Sequence, residues 1–399
     1  MNRYFSYLNS AVKIISQYKS DEPFSSFLKK YFSLDKKYGS KDRKQIGHLC
    51  YCFFRLGKAA SALSIEERIL TALFLCSEIS NEILQQLRPE WNEQINLTLK
   101  EKFALLNGDE PVERILVTDV FPWNEELSTG IVYEEFCESF FKQPDLFLRL
   151  RPGKEERVIK KLESEGISFK QVNDNCLALP NSSKLDEIIE LNKEAVVQDY
   201  NSQRVGKFLS SVICQLPTIS VWDCCAASGG KSIMAKDILG SIDLTVSDIR
   251  ESIIHNLKKR FAEAGIKNYK FFVADLSTAN CRTSTSSVPT SFFDLIICDA
   301  PCTGSGTWSR TPEQLFYFEK EKINYYSELQ KRIISNAIKQ LNPGGYFLYI
   351  TCSVFKKENE EVAEFIKKNF SLELVDSKVL EGYNIKADTM FAALLKRVS

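Results

Sequence analysis

The stretch VWDCCAASGGKS, residues 221–232, joins an apolar run to a helix-forming segment through a loop of mostly small side chains. Small residues let a ligand approach the backbone, and the first amides of a helix are unpaired hydrogen-bond donors. A buried strand, a small-residue loop and a helix in this order are typical of the first unit of a doubly wound α/β sheet. We therefore expect a ligand to bind at this loop.

The loop ends in GGKS, residues 229–232, which taken alone suggests a phosphate-binding loop. The complete phosphate-loop pattern has a glycine five residues before Gly-Lys-Ser, and here that position is Cys225. The sequence therefore does not predict nucleotide hydrolysis.

Apolar runs of buried-strand type continue along the chain and alternate with helix patterns such as RESIIHNLKKRFAEAG. The runs are SVWDCCA, DLTVSDI, YKFFVADL, FDLIICDAP and GYFLYITCS. Fully apolar strands that alternate with helices predict a parallel, doubly wound sheet. Residues 196–399 are expected to form one Rossmann-like α/β domain, with the polar stretch 278–291 as a mobile loop between two strands.

Acidic residues end three successive predicted strands: Asp248, Asp275 and Asp299. A single acid at a strand end is often only a helix cap. Three of them after a small-residue loop favour a ligand crevice at the carboxyl edge of the sheet. Asp248 has the spacing from the loop that suits a hydrogen bond to ribose hydroxyls.

Two cysteines follow neighbouring predicted strands, Cys302 within DAPCTGSG and Cys352 within TCS. Both are expected at the ligand-binding edge, where a thiolate can add to carbon 6 of a pyrimidine. The addition makes carbon 5 nucleophilic enough to attack a methylsulfonium, and a carboxylate such as Asp299 can hold the edge of the base. Spacing alone also allows both cysteines to be buried structural residues, and it does not establish which one attacks.

The composition is that of an ordinary globular protein, with 44% apolar residues, 26% charged residues and a net charge of zero. No apolar run reaches the ~18 residues that cross a bilayer, and the first residues lack the features of a secretory signal. Neither the spacing of the twelve cysteines nor the two histidines indicates a metal site, and a reducing cytoplasm is expected. Cys224, Cys225 and Cys298 are interpreted as small packing residues.

The chain before residue 196 divides into a mainly helical part, residues 1–140, and a module with β-α-β-β-α order, residues 141–195. Residues 1–60 carry twelve Lys and Arg against four Asp and Glu, and Arg43 and Arg55 lie on one predicted helix. Residues 61–140 carry five basic against sixteen acidic residues. The basic segment suits a polyanion, but two oppositely charged helical faces packed together explain the charges equally well.

These motifs resemble those of the RsmB/Sun family of RNA cytosine-5 methyltransferases. VWDCCAASGGKS resembles the cofactor loop of the family, DAPCTGSGTWSRTPE its fourth motif and LNPGGYFLYITCSVFKKENEEV its sixth. VQDYNSQ, residues 197–203, resembles the start of the catalytic domain, and ADTMFAALLKR resembles its final strand. The resemblance covers residues 196–399 and extends more weakly toward the N-terminus.

The resemblance implies a class I methyltransferase domain that methylates carbon 5 of a cytosine in RNA through a covalent cysteine–pyrimidine intermediate. It assigns the attack to Cys352, assistance in product release to Cys302 and binding of the base to Asp299. The residues that it assigns to S-adenosylmethionine are Cys225, Ala226, Ala227, Ser228, Gly229, Gly230, Lys231, Asp248, Arg250, Asp275 and Asp299. Residues 1–140 and 141–195 would bind RNA, with small-subunit ribosomal RNA as the expected substrate of a cytoplasmic, monomeric protein without a metal.

The chain departs from the family in the cofactor loop, with Ser228 where proline is usual and Ser232 where threonine is usual. Thr389-Met390 also replaces a common glycine-phenylalanine pair. Because proline stiffens a turn, its loss is expected to loosen the turn before the double glycine. None of these changes removes a reacting group.

Three other functions stay open. The substrate would be transfer RNA in the first. In the second the chain is a DNA cytosine methyltransferase with Cys302 as nucleophile, which leaves the TCS motif without a role. In the third it is a ribosome-assembly factor that binds RNA without turnover, and the intact thiols and carboxylates argue against this.

Overall fold

The computed structural model describes residues 3–35, 37–108, 114–212, 218–278 and 291–398, so most of the predicted loop 278–291 lies outside the described residues. The helices are α1 (Arg3–Gln17), α2 (Phe24–Leu34), α3 (Ser40–Arg55), α4 (Ile65–Cys76), α5 (Glu82–Leu87), α6 (Pro89–Glu93), α7 (Leu99–Asn107), α8 (Tyr133–Ser139), α9 (Glu155–Ser164), α10 (Tyr200–Arg204), α11 (Gly206–Ser210), α12 (Gly230–Leu239), α13 (Glu251–Glu263), α14 (Pro312–Tyr317), α15 (Glu321–Ala337) and α16 (Glu360–Asn369). The strands are β1 (Leu146–Leu150), β2 (Lys170–Asn173), β3 (Cys176–Leu179), β4 (Ala195–Val197), β5 (Ile219–Asp223), β6 (Ile242–Asp248), β7 (Lys270–Val273), β8 (Phe293–Asp299), β9 (Leu341–Thr351), β10 (Leu372–Leu380) and β11 (Met390–Arg397).

The chain divides into two compact units. The helical unit consists of Met1–Glu125, Val132–Gln143 and Thr307–Glu319. The sheet unit consists of Glu126–Ile131, Pro144–Gly306 and Lys320–Ser399. The chain therefore leaves the sheet unit after Gly306 and returns to it at Lys320. The division at residues 140 and 195 stays a prediction.

Aromatic side chains form much of the core of the helical unit. The ring of Phe24 lies 4.9 Å from those of Tyr18 and Phe54, measured between centroids. Phe316, on the returning segment α14, places its ring 5.6 Å from that of Phe54. Edge-to-face rings at such distances add to the free energy gained by burying their area. The short segment 307–319 is thus part of this core.

Part of the basic segment has a structural role within the helical unit. The Arg55 side chain is buried, and its Nη1 and Nη2 donate to the Phe140 carbonyl at 2.6 Å and to Gln143 Oε1 at 2.7 Å. A guanidinium held in this way cannot face a polyanion, so that expectation is wrong for Arg55. Arg43, from the same helix, is exposed.

The sheet unit contains a seven-stranded sheet in the described residues, in the order β10-β11-β9-β8-β5-β6-β7. Strands β9, β8, β5, β6 and β7 run parallel, as predicted from their apolar sequences. Strand β11 pairs antiparallel with β9, and β10 pairs antiparallel with β11. The doubly wound sheet is therefore mixed and not wholly parallel. The two antiparallel pairs arise because β11 returns directly beside β10 without a crossover helix.

Strands β2, β3, β1 and β4 form a separate antiparallel sheet in the module of residues 141–195. The predicted order of β1, α9, β2 and β3 is confirmed. The helix that the pattern SKLDEIIEL predicts, residues 183–191, is instead a set of turns. Leu185 and Ile189 are still buried, so their helical spacing reflects a single turn whose apolar side chains pack on the module.

A buried ion cluster joins the first strand of this module to α12. Arg149 Nη1 lies 2.6 Å from Asp237 Oδ2, and Arg151 Nη2 lies 2.7 Å from Asp237 Oδ1. The Asp237 side chain is only 6% exposed, so one carboxylate is the shared counter-charge of two guanidiniums away from water. No helix in the described ranges has the length and apolar content that a membrane span requires.

Replacing Asp237 by alanine should strongly destabilise the sheet unit, because two largely buried guanidiniums would lose their counter-charge. We expect Asp237→Ala to lower the free energy of unfolding by about 3–5 kcal/mol in urea denaturation. The control is Asp243→Ala, which breaks an exposed pair with Lys270 and should cost about 1 kcal/mol or less. Equal losses in the two variants would contradict the role of the cluster.

Candidate functional site

The loop of residues 224–229, here called the β5 loop, lies where the order of the parallel strands reverses. The chain continues from β5 to β6 on one side, whereas β8 lies on the other side of β5, and ligands bind at such switch points. Ala227 and Gly229 in this loop have positive φ angles of 46° and 83°. A Cβ atom on Gly229 would lie 2.5 Å from Cε1 of Phe261, so the position requires glycine.

Two of the predicted acidic residues lie beside the β5 loop with different surroundings. Asp248 is buried, and its Oδ2 accepts a hydrogen bond from the amide of Ala227 at 3.0 Å. Arg250 donates to Oδ1 of Asp248 through its amide at 3.0 Å and its Nε at 3.1 Å. Asp275 Oδ1 accepts from the amide and hydroxyl of Ser277 at 2.8 and 2.6 Å, which is a cap-like arrangement. Asp248 therefore fixes the loop, whereas Asp275 organises the turn after β7.

A cavity of about 670 Å³ lies at this edge of the sheet unit. Its size is within the range of about 300–1,000 Å³ that is usual for small-molecule sites. The predicted residues that line it are Cys225, Ala227, Asp248, Arg250, Asp275, Asp299 and Cys302. Tyr325 and Tyr326 of α15, which the sequence analysis did not single out, also line it.

The other residues of the predicted cofactor set support the loop. Ala226 is buried and donates its amide to the Ser247 carbonyl at 2.9 Å. Ser228 Oγ accepts from Nη1 of Arg260 at 2.8 Å, so a side-chain bond is present where proline is usual. Gly230 is the first residue of α12.

Lys231 pairs with Asp299 at the end of β8. Its Nζ lies 3.0 Å from Asp299 Oδ2 and donates to Ser202 Oγ at 2.7 Å. The lysine side chain is 9% exposed and the aspartate side chain 30% exposed. The ammonium group therefore holds one oxygen of Asp299, while the carboxylate remains accessible from the cavity.

The two predicted reactive cysteines meet. The sulfur atoms of Cys302 and Cys352 are 3.3 Å apart, and both residues are half-buried. Two causes raise the pKa of the Cys302 thiol well above its usual value. The larger is the hydrogen bond with Cys352, and the smaller is burial. Cys302 therefore keeps its proton at neutral pH and can donate it in a hydrogen bond to the neighbouring sulfur.

Gly306 holds the segments of the two cysteines together. Its amide donates to the carbonyl of Cys352 at 2.9 Å, and its carbonyl accepts from the amide of Thr389 at 2.9 Å. A Cβ atom at this position would lie 1.8 Å from the Thr389 carbonyl oxygen. Only glycine lets these three backbone segments approach so closely.

Glu358 joins the two cysteine segments through side chains. Its Oε2 accepts from the Thr303 amide at 2.9 Å, and its Oε1 accepts from the Thr303 and Ser353 hydroxyls at 2.6 Å each. Gln330 Nε2 donates to Oε2 at 3.0 Å. The side chain is fully buried, and burial raises the pKa of Glu358. The residue after each cysteine is thus bound to the same carboxyl group.

The sequence analysis did not single out Glu358. It lies in KKENEE, where several acids in succession suggest only a charged helix start. The next residue, Asn359, is also buried, accepts from the Thr351 hydroxyl at 2.5 Å and donates to the Ser353 carbonyl at 2.9 Å. Two consecutive polar residues that point into the core distinguish this stretch from a solvated helix start.

Asp223, the last residue of β5, is completely buried. Its Oδ2 accepts from Ser232 Oγ at 2.6 Å, whereas Oδ1 has no hydrogen-bond partner among the described residues. Burial raises the pKa of Asp223 to about 7, and the nearby charge of Asp299 adds to the increase. Ser232, which stands where threonine is usual, keeps the hydroxyl that this bond needs.

The C-terminal part of the chain is similar to a family of known proteins. Residues 216–396 match the family model described as 16S rRNA methyltransferase RsmB/F, and this confirms the predicted resemblance. The ribosomal RNA small subunit methyltransferase B of Xylella fastidiosa is 26% identical over 278 residues, which are 68% of this chain and 62% of that protein. The corresponding enzyme of Shewanella oneidensis is 26% identical over 61% of this chain and 55% of its own length. The chain thus spans less than two thirds of the length of these relatives.

Solved structures show the same fold. The crystal structure of PH0851 has a TM-score of 0.70 and 20% identity, with 98% of each chain covered. That of NSun6 from Pyrococcus horikoshii with SFG has a TM-score of 0.57 and 15% identity over 67% of this chain and 94% of that one. The structure of a methyltransferase homolog protein from the same organism has a TM-score of 0.55 and 21% identity, with 68% of this chain and 92% of that one covered. The predicted class I methyltransferase fold is confirmed.

The buried carboxyl group of Asp223 should make stability depend on pH. Since its folded pKa of about 7 exceeds the unfolded value of about 4, the native state binds the extra proton between these values. The free energy of unfolding therefore falls as the pH rises through that window, by up to about 4 kcal/mol from this group. Asp223→Asn should remove this contribution, as urea denaturation at pH 4.5 and about pH 8 would show. Asp243→Asn, at an exposed site, is the control, and parallel pH profiles for wild type and Asp223→Asn would contradict the assignment.

The contact between the two sulfur atoms predicts an inducible disulfide. Oxidation with diamide should remove one hydrogen from each thiol and join Cys302 to Cys352, because little movement is needed to reach bonding distance. Peptide mapping after alkylation should find this pair first, while the buried Cys50 and Cys137 stay free. Cys302→Ser should prevent the link. Coupling of other cysteines while this pair remains reduced would show that the two sulfurs do not meet in solution.

Proposed function

We propose that the protein methylates carbon 5 of a cytosine in RNA. The match of residues 216–396 to the 16S rRNA methyltransferase RsmB/F family model supports this function. S-adenosylmethionine is the methyl donor and small-subunit ribosomal RNA the substrate. The observation that carries the proposal is the pair of sulfur atoms of Cys302 and Cys352, 3.3 Å apart, at the same edge of the sheet as the cavity and Asp299. The reaction needs two thiols, a carboxylate that holds the base and a cavity for the methyl donor.

The cavity fits S-adenosylmethionine in its chemistry. Asp248 uses part of its hydrogen-bonding capacity on Ala227 and Arg250, and its remaining lone pairs suit ribose hydroxyls. Ile249 and Leu276 offer apolar surface beside Asp275 for the flat adenine ring. The bound cofactor would supply an electrophilic methyl group on a sulfonium.

Cys352 is the nucleophile in this proposal. The family resemblance assigns the attack to Cys352, and the Cys302 thiol, 3.3 Å away, is placed to donate a hydrogen bond to its sulfur. A bond forms between the Cys352 sulfur and carbon 6 of cytosine, and the electron pair of the 5,6-double bond moves toward carbon 5. Carbon 5 would then take the methyl group, and the bond between that methyl group and the sulfonium sulfur of the donor would break.

Asp299 holds the base during the attack. Lys231 binds one carboxylate oxygen, which leaves the other free to accept a hydrogen bond from the exocyclic amine of cytosine. After methyl transfer, solvent in the cavity accepts the proton of carbon 5, and the electron pair of that C–H bond restores the 5,6-double bond. The bond between carbon 6 and sulfur breaks, and its electron pair returns to the Cys352 sulfur. Cys302 stabilises the departing thiolate of Cys352 by donating a hydrogen bond to it.

RNA is proposed to contact the exposed cations of α3 in addition to the sheet unit. Lys41, Arg43 and Lys44 are exposed on this helix, and exposed cations bind phosphates without reading sequence. The module of residues 141–195 is the second proposed RNA-binding part. A cytoplasmic location and a monomeric state remain predictions.

The experiment follows methyl transfer from labelled S-adenosylmethionine into unmodified small-subunit ribosomal RNA, with nucleoside analysis of the product. We expect label in 5-methylcytidine and a loss of at least about 1,000-fold in rate with Cys352→Ala, because the nucleophile is missing. Cys302→Ala should instead accumulate a covalent protein–RNA adduct on denaturing gels, since the departing thiolate loses its hydrogen-bond donor. Cys50→Ser, a buried thiol of the helical unit, is the matched control and should keep full activity.

The alternatives give different results. Label in transfer RNA alone would replace the substrate but keep the chemistry. Activity on DNA that survives Cys352→Ala and is lost with Cys302→Ser would exchange the nucleophile. RNA binding without any transfer would favour the assembly factor and overturn the mechanism.

A further inference from the structure

Three sulfur atoms that the proposed methyl transfer does not use lie together beside the β5 loop. The Sγ atoms of Cys224, Cys225 and Cys298 are all within 4.8 Å of one another. Cys224 and Cys298 are buried and Cys225 is half-buried, and Cys224 and Cys225 both line the cavity. The cluster therefore borders the cavity through these two residues.

Backbone pairing fixes the positions of these cysteines. Strands β5 and β8 are parallel neighbours, and the amide of Cys224 donates to the carbonyl of Ile297, the residue before Cys298, at 2.9 Å. The sulfurs are therefore carried by two adjacent and rigid backbone segments. A site on such segments is preorganised, because little conformational entropy is lost when a ligand binds.

The distances suit a metal ion. A bond length of about 2.3 Å between zinc and sulfur separates ligand sulfurs by roughly 4 Å, which the observed cluster reaches with small side-chain rotations. Thiolate donors select soft or borderline ions such as Cu(I), Zn(II) and Cd(II) over harder ions such as Mg(II). A cluster of three largely buried thiols is therefore expected to bind a soft or borderline metal ion.

Asp223 provides a second observation that points to a ligand. It directly precedes Cys224, is completely buried, and has an Oδ1 atom with no hydrogen-bond partner among the described residues. Its carboxyl group interacts electrostatically with Cys225 and Cys298. A buried carboxylate oxygen without a partner is unfavourable, and a nearby cation would remove that cost.

We propose that Cys224, Cys225 and Cys298 form a binding site for a single thiophilic metal ion. On binding, three S–H bonds break, three bonds form between sulfur and the metal, and three protons pass to solvent through the cavity at Cys225. The ion would tie the β5 loop to β8, one residue before Asp299. From the sequence these cysteines are interpreted as packing residues, because Cys298 lies within its strand and no pair of cysteines has the spacing of zinc ligands. This proposal does not depend on the methyl transfer.

The test uses Cd(II) as the probe and a full-length background variant with Cys302→Ser and Cys352→Ser, because that second pair of thiols can also bind metal. Anaerobic titration of the reduced protein should give one Cd(II) per chain with ultraviolet charge transfer from sulfur to metal. Adding Cys298→Ser should weaken the affinity for Cd(II) by roughly tenfold or more. Replacing a residue that only hydrogen-bonds to a metal ligand already costs about tenfold in metal affinity, and loss of the ligand itself should cost more. Cys50→Ser, at an equally buried thiol, should leave the affinity unchanged.

A second measurement keeps the test valid if Cys298→Ser fails to fold, which its circular dichroism would reveal. In the background variant alone, Cd(II) should protect Cys224, Cys225 and Cys298 from alkylation in partial denaturant, whereas Cys50 stays reactive. Unchanged Cd(II) affinity in a folded Cys298→Ser protein would overturn the proposal. Absence of binding, or protection of other cysteines instead of these three, would overturn it as well.

Discussion

The arrangement of the candidate site depends on one buried carboxyl group, that of Glu358. Taking a carboxylate out of water is costly, and here four hydrogen bonds from Thr303, Ser353 and Gln330 offset the cost. Because two of these donors directly follow Cys302 and Cys352, the bonds that satisfy the carboxyl group also set the distance between the sulfurs. The backbone hydrogen bonds of Gly306 to Cys352 and Thr389 also help to fix the positions of the two cysteine segments.

Electrostatic pairing continues across the rest of the site. Lys231 holds Asp299, and the amide of Ala227 holds Asp248, so each of these carboxylates at the sheet edge has a donor. Asp223 has the Ser232 hydroxyl as its hydrogen-bond donor, its second oxygen has no partner among the described residues, and burial raises its pKa to about 7. The acidic groups at the switch point thus differ in the donors that the protein provides for them.

Much of the sheet could be predicted because it is encoded locally. Apolar runs defined β5, β6, β7, β8 and β9, and the acids and cysteines at their ends are at the same edge because parallel strands place them there. The role of Glu358 could not be predicted, since its partners Thr303 and Gln330 are distant in sequence. The salt bridge of Asp237 with Arg149 and Arg151 was missed for the same reason. Arg55 was misassigned because a charge pattern does not reveal that a guanidinium is bound by carbonyl groups in the core.

Residues 307–319 belong to the helical unit although they follow most of the sheet unit in sequence. This affects the order in which the parts of the protein can fold during synthesis. The ring of Phe316 packs with that of Phe54 and the ring of Tyr317 with that of Tyr18, although 262 and 299 residues of chain, respectively, separate these partners. At ribosomal rates of about 5–20 residues per second, the N-terminal helices wait many seconds before these partners emerge. During that time the apolar surface that Phe316 and Tyr317 later cover is open to solvent and to chaperones. The helical unit, most of which is made before the sheet unit, therefore completes its core only after Phe316 and Tyr317 have emerged.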